Sequence, residues 1–252
     1  MDDMLIEQVE YKGYVIKVCY EDDILESPRE WDNLGTMVCW HSRYNLGDEQ
    51  PKRDPKEFLK ELAMEIDPRL EDTLEYWELN NGWAACLNRA NKKYSENNWE
   101  NASAALSEAK EASNEMQEKA ISRVLDNNVL MLPLYLYDHS GITMNTTGFS
   151  CGWDSGQVGF IYVTKYQLKQ EYGISKVMPI HWKKAEERLK AEVKVYDRYI
   201  RGDVYCYTIH DKNEDIVVDS LGGLYGDSTE EIIRMAKEWI DYEVTNSING
   251  LL

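Results

Sequence analysis

Val129-Leu130-Met131-Leu132-Pro133-Leu134-Tyr135-Leu136-Tyr137 is the most hydrophobic run of the chain, and its conformation decides the fold. Pro133 sits in its middle, where a helix would lose a backbone donor and clash with the preceding turn. A largely buried strand is therefore expected, with the proline at an edge or a bulge. A Gly/Ser/Thr/Asn-rich loop follows. Gln157-Val158-Gly159-Phe160-Ile161-Tyr162-Val163 reads as the next strand, and a short helix runs from Lys165 to Tyr172.

Working outward toward the N-terminus, Tyr14-Val15-Ile16-Lys17-Val18-Cys19-Tyr20 is β-rich, and Tyr11-Lys12-Gly13 can turn the chain back from a strand at Ile6 to Glu10. Thr36-Met37-Val38-Cys39-Trp40-His41 reads as a further strand. The period then changes. Asp54-Pro55 has the form of an N-cap followed by a first-turn proline, and Phe58, Leu59, Leu62 and Ile66 recur at helical spacing. Asp67-Pro68 restarts the pattern, with Leu70, Leu74 and Trp77 on one face. Residues 80–101 are Asn-rich, with Trp83 and Trp99 as anchors, and Ala102 to Leu125 predicts a helix with a thin apolar stripe.

Toward the C-terminus, Trp182, Ala185, Leu189, Val193, Tyr196 and Ile200 step by three and four, which predicts one long helix ended by Gly202. Val204 to His210 and Ile216 to Leu221 form a hairpin. Asp227-Ser228-Thr229-Glu230 caps a last helix carrying Ile232, Ile233, Met235, Ala236, Trp239 and Ile240. The fold class is α+β. The expected architecture is a single domain over residues 1–252 with one mixed, mostly antiparallel sheet covered by helices, and a helical insertion or subdomain over 55–125.

The chain has 252 residues and a formal net charge of -18, of which residues 1–128 carry -13. Such a field repels phosphate backbones and anionic membranes, and it attracts basic protein surfaces while favouring solubility. No uninterrupted apolar run is long enough to span a bilayer, and the acidic Met1-Asp2-Asp3-Met4 is unlike a secretory signal. A cytoplasmic location is expected. The five cysteines, Cys19, Cys39, Cys86, Cys151 and Cys206, are widely spaced with no CxxC, so reduced, buried thiols are expected and a zinc site is not.

Asp138-His139-Ser140-Gly141 ends the central strand, and Cys151-Gly152-Trp153-Asp154-Ser155-Gly156 precedes the next one. If these strands are neighbours, Asp138, His139 and Asp154 converge, a set that can hold a divalent cation or divide acid and base roles. The same residues also read as ordinary Asp/Gly turns. Neither Ser140 nor Ser155 lies in a GxSxG nucleophile elbow. Cys39 with His41, and Cys151 with His139, are the only cysteine and histidine pairings worth testing as nucleophiles. Leu221-Gly222-Gly223-Leu224-Tyr225-Gly226-Asp227 has neither a P-loop lysine nor GxGxxG. Lys183, Lys184, Arg188, Lys190 and Lys194 alternate with Glu186, Glu187 and Glu192, the pattern of a solvated helix face.

Ser27-Pro28-Arg29-Glu30-Trp31-Asp32-Asn33-Leu34-Gly35-Thr36-Met37, Arg43-Tyr44-Asn45-Leu46-Gly47-Asp48, Tyr137-Asp138-His139-Ser140-Gly141 and the run from Trp153 to Val163 resemble a family of proteins encoded by phages and other mobile elements of bacteria. The likeness also runs through Val195-Tyr196-Asp197-Arg198-Tyr199 and Gly202-Asp203-Val204-Tyr205. The resemblance brings no assigned activity and no catalytic residues. It implies an acidic, non-enzymatic protein of a bacterial cytoplasm that binds and disables a host nucleic-acid-handling complex, as inhibitors of CRISPR effectors or restriction enzymes do, by presenting carboxylates where phosphates are expected. Glu57, Glu61, Glu65, Glu71, Asp72, Glu75 and Glu78 would form the partner-binding face. On that reading the partner is a host protein or complex with a basic surface, no cofactor is needed, and neither a membrane nor nucleic acid is bound directly. The alternative is a divalent-metal-dependent hydrolase or nuclease using Asp138, His139 and Asp154.

Overall fold

The computed structural model describes residues 5–21, 26–93, 99–214 and 216–249. The chain divides into two compact units. The first contains Met1–Gly35, Pro133–Val158 and Glu187–Leu252, and the second contains Thr36–Leu132 and Gly159–Glu186. The architecture is α+β with antiparallel sheet pairing. Among the described residues no helix is long and apolar enough to cross a membrane.

The first unit opens with the hairpin β1 (Leu5–Tyr11) and β2 (Tyr14–Tyr20). Lys12 and Gly13 take φ of 47° and 85°, the left-handed pair that lets a two-residue turn follow the strand twist. β2 pairs with β7 (Val204–Asp211), and β7 pairs with β8 (Val217–Tyr225), which gives the order β1-β2-β7-β8. Side chains alternate across a strand. Ile16 and Val18 of β2 and Tyr205, Tyr207 and Ile209 of β7 therefore face α7 (Thr229–Asn249), packing on its Ile232, Ile233, Ala236 and Ile240. β8 runs on through Gly222 and Gly223, further than the hairpin expected from sequence.

The same unit is held by a long helix, α6 (Pro179–Arg201), through polar side chains. Glu192 accepts from the backbone N–H of Leu34 at 2.8 Å and of Gly35 at 3.1 Å, and it pairs with Arg29 at 3.3 Å. Arg29 also donates to the Gly35 carbonyl at 2.6 Å. Asp197 accepts from the Thr143 hydroxyl and the Met144 N–H, each at 2.7 Å. Arg198 pairs with Asp227 at 2.8 Å and donates to the Tyr225 carbonyl at 2.6 Å.

The second unit holds β3 (Thr36–Cys39) and four helices, α1 (Pro55–Ile66), α2 (Leu70–Glu78), α3 (Asn81–Lys93) and α4 (Trp99–Asn128), followed later in the chain by α5 (Lys165–Glu171). Trp40, Phe58 and Phe160 meet with ring centroids 5.3 to 5.8 Å apart and anchor a cluster with Val38, Leu62 and Tyr162. Leu70 and Leu74 of α2 pack with Ala63. α3 was not legible in the Asn-rich stretch. Its Cys86 and Ala90 pack on Ala105 and Ala109 of α4, and small residues on both sides let the backbones approach. Trp83 packs on this cluster as expected for an anchor, whereas the side chain of Trp99 lies outside the described residues.

The second sheet has the order β3-β6-β4-β5, where β4 is Val129–Asp138, β5 Ile142–Asn145 and β6 Ser155–Thr164. The strands thus form two four-stranded sheets where one was expected from sequence. β2 finds its partner in β7, while β3 pairs with β6. Gly159 makes the latter pairing possible, since a Cβ there would lie 1.9 Å from the Val38 carbonyl oxygen. β5 lies in what the sequence presented as a loop, and among the described residues it pairs with Tyr135–Asp138 of β4. Pro133 falls before that pairing begins, so it sits where the β5 side of the strand is open. The run around Pro133 is a strand, as its sequence predicts.

Candidate functional site

Asp54 caps α1 by accepting from the N–H groups of Lys56 and Glu57 at 2.8 and 3.0 Å, with Pro55 in the first turn. Burial of Phe58, Leu62 and Ala63 fixes the helix rotation and turns Glu57 and Glu65 to solvent. The three α1 acids of the expected face are not equivalent. Glu61 is paired with Arg53 at 2.9 Å. Glu65 lines a cleft of about 520 Å³ together with Tyr162, Lys165, Tyr166 and Lys169, and its charge helps raise the pKa of the Tyr162 phenol, behind burial and the charge of Glu49.

α2 differs. With Leu70 and Leu74 buried, Glu71, Asp72, Glu75 and Glu78 are all exposed. None of the four side chains makes an ion pair among the described residues. The nearest base in sequence, Arg69, is engaged by Asp67 at 2.9 Å, and that contact holds the Asp67 carboxyl below its ordinary value. Glu71, Glu75 and Glu78 recur at intervals of four and three, so they share one stripe of the helix. The four carboxylates fall within about 10 Å of helix axis at 1.5 Å per residue. One strand of a duplex carries about three phosphates over the same length.

The other candidate lies where β4 ends and β6 begins, on strands that are neighbours in the sheet. The backbone N–H of Asp138 donates to the Asp154 carbonyl at 2.8 Å. His139 Nδ1 lies 3.3 Å from Asp154 Oδ2, and the Cys151 thiol donates to the same carboxylate at 3.8 Å. The structure therefore brings His139 and Asp154 together by their side chains, and links Asp138 to them through the main chain. Among the described residues no group of three or more His, Cys, Asp or Glu side chains is arranged to hold a metal ion. The Ser140 hydroxyl donates to the His139 carbonyl at 2.6 Å and the Ser155 hydroxyl to the Cys151 carbonyl, which engages both serines in turn geometry. His139 is 65% exposed and its partner Asp154 40%.

Three features of these regions escaped the sequence. Trp153, beside the His139–Asp154 pair, is 98% exposed, and an apolar ring fully in water is unusual for its size. His41 lies beyond the end of β3, stacked on Tyr44 at 5.0 Å, and its Nδ1 accepts from the N–H groups of Arg43 and Tyr44, so it does not share a strand face with Cys39. Only Cys39 and Cys86 are buried, whereas Cys19, Cys151 and Cys206 are partly exposed, and all five are free thiols. Comparison with protein-family models, with curated proteins and with solved structures finds no match to this chain.

Proposed function

We propose that this chain is a non-enzymatic acidic binding protein of phage or mobile-element origin, which occupies a Lys/Arg-lined nucleic-acid groove of a host defence complex and blocks it. The observation that carries this reading is the acidic surface of α2, where Glu71, Asp72, Glu75 and Glu78 are exposed and carry no ion pair among the described residues. Carboxylates in that state need not break an internal ion pair to meet a partner. A surface of this density competes for basic grooves and accelerates encounter with them.

The test uses immobilised protein and lysate of a bacterial host. Wild-type protein retains a basic nucleic-acid-binding complex that competitor duplex DNA and added salt both release. The variant Glu71→Gln, Asp72→Asn, Glu75→Gln, Glu78→Gln does not retain it, while Asp138→Ala with Asp154→Ala does. Retention by the neutralised variant, or indifference to competitor DNA, refutes the reading.

A further inference from the structure

The antiparallel register of β2 and β7 sets Cys19 directly opposite Cys206, although most of the chain separates them in sequence. Val18 and Tyr207, their neighbours, face the core under α7, so the two thiols stand on the other face of the sheet. Both are partly exposed and unbridged. Facing residues of an antiparallel pair have Cα atoms about 4.5 to 5.5 Å apart, inside the roughly 4.4 to 6.8 Å that a disulfide spans. Their Cβ atoms, about 4.5 to 5.5 Å apart in such pairs, close to about 3.8 Å in a disulfide. That movement is of the order of an ångström.

The surroundings are built by β8 and Glu21. The β7–β8 register shifts between Tyr205 and Tyr207, so Cys206 sits at a bulge. Gly222 faces it, and a Cβ there would lie 3.7 Å from the Cys206 Cβ and 2.3 Å from a Glu21 carboxylate oxygen. The Glu21 carboxylate fills the place a side chain would take there, and it accepts from the Gly223 N–H at 3.1 Å. Burial, with the Glu21 charge second, pushes the Cys206 thiol up to about 11, and its S–H donates to the Tyr20 carbonyl at 3.8 Å. Cys206 therefore rests as a thiol.

We propose that Cys19 and Cys206 form a modification site, at which a low-molecular-weight disulfide such as oxidised glutathione converts the facing thiols into a reversible cross-strand disulfide. The Cys19 thiolate attacks one sulfur of the reagent, forming a mixed disulfide and expelling one thiolate. Cys206 then gives its proton to solvent and attacks the Cys19 sulfur, forming the protein disulfide and expelling the second thiolate. Two protein thiols are oxidised, one reagent disulfide is reduced to two thiols, and no further oxidant is required.

The experiment incubates the full chain with excess oxidised glutathione, quenches with acid, and maps disulfide-linked peptides by mass spectrometry. The expected product is a peptide pair joined through Cys19 and Cys206, lacking two hydrogen atoms relative to the reduced pair and separated again by dithiothreitol. In Cys206→Ser the linked pair is absent and a glutathione adduct on Cys19 accumulates. Wild-type protein that keeps both thiols free, or that carries a stable adduct on each without the linked pair, overturns the proposal.

Discussion

Replacing Glu192 by Gln tests the account of how α6 holds the first unit. The side chains of Arg29 and Glu192 are 4% and 9% exposed, so the pair is nearly dry. Glu192 takes two backbone N–H bonds, from Leu34 and Gly35, in addition to Arg29. Gln keeps the shape but removes the charge, and it turns one acceptor into a donor aimed at a donor. Arg29 keeps the Gly35 carbonyl as a neutral partner. Breaking one side of a buried pair costs about 3 to 5 kcal/mol. The retained amide oxygen argues for the lower end, so the expected loss is about 3 kcal/mol. The second base near Glu192, Arg188, is a third exposed, and losing that contact adds little. For a protein of this size about 3 kcal/mol lowers the melting temperature by roughly 6 to 12 °C. Urea unfolding followed by circular dichroism at pH 7 measures the difference directly. Arg29→Met removes the charge from the other side, so the double variant is expected to lose less than the sum of the singles, by about 1 to 3 kcal/mol. A Glu192→Gln loss under about 1 kcal/mol, or strict additivity in the double variant, would refute the reasoning.

Gly159→Ala drives a Cβ toward the Val38 carbonyl, and an overpacked backbone contact should destabilise the second unit by about 3 kcal/mol, read as a lower urea midpoint. Trp153→Ala removes a ring that touches solvent almost everywhere, so the melting temperature should change by no more than about 0.5 kcal/mol warrants. Lys194, then Arg198, depress the Asp227 carboxyl in the folded state. Its contribution is therefore fully present above the unfolded value of about 3.9 and is lost as pH falls through the depressed folded value. Thermal scans of wild type and Asp227→Asn should differ above about pH 4 and converge in stronger acid, and a difference that persists unchanged at the acid end would contradict the assignment. Neutralising the α2 acids leaves folding intact, since no ion pair among the described residues is lost, and far-UV circular dichroism should not change.

Elements whose signal is local were legible in the sequence. Asp54-Pro55 marked the start of α1, Gly202 the end of α6, and the Lys12-Gly13 turn the first hairpin, because caps and turns depend on a few adjacent residues. What failed was non-local. Nothing in Thr36–Cys39 says that its partner is β6 and not β2, and that choice split the strands into two sheets. α3 was hidden because Asn is a poor helix former, while the packing that stabilises it comes from Ala105 and Ala109 of another helix. Among the site residues, the exposure of Glu71, Asp72, Glu75 and Glu78 followed from the spacing of Leu70 and Leu74. The capture of Glu61 by Arg53 did not, since helix spacing says nothing about an incoming loop. The convergence of His139 with Asp154 depended on β4 and β6 being neighbours, a fact of topology. Arg29, Asp197 and Arg198, which stand in the most recognisable motifs, turn out to be ties between segments of the first unit.

The pairing of β2 with β7 has a consequence for a chain made from its N-terminus. At roughly 5 to 20 residues per second, about 10 to 40 s pass between the appearance of Tyr20 and that of Asp211. Through that interval the newborn hairpin must carry Ile16 and Val18, both fully covered in the finished fold, without the strand or the helix that covers them. The second unit needs nothing beyond Glu186 and can close first. The hairpin is thus made long before its shelter, and its apolar face stays open to other chains while the intervening residues are added.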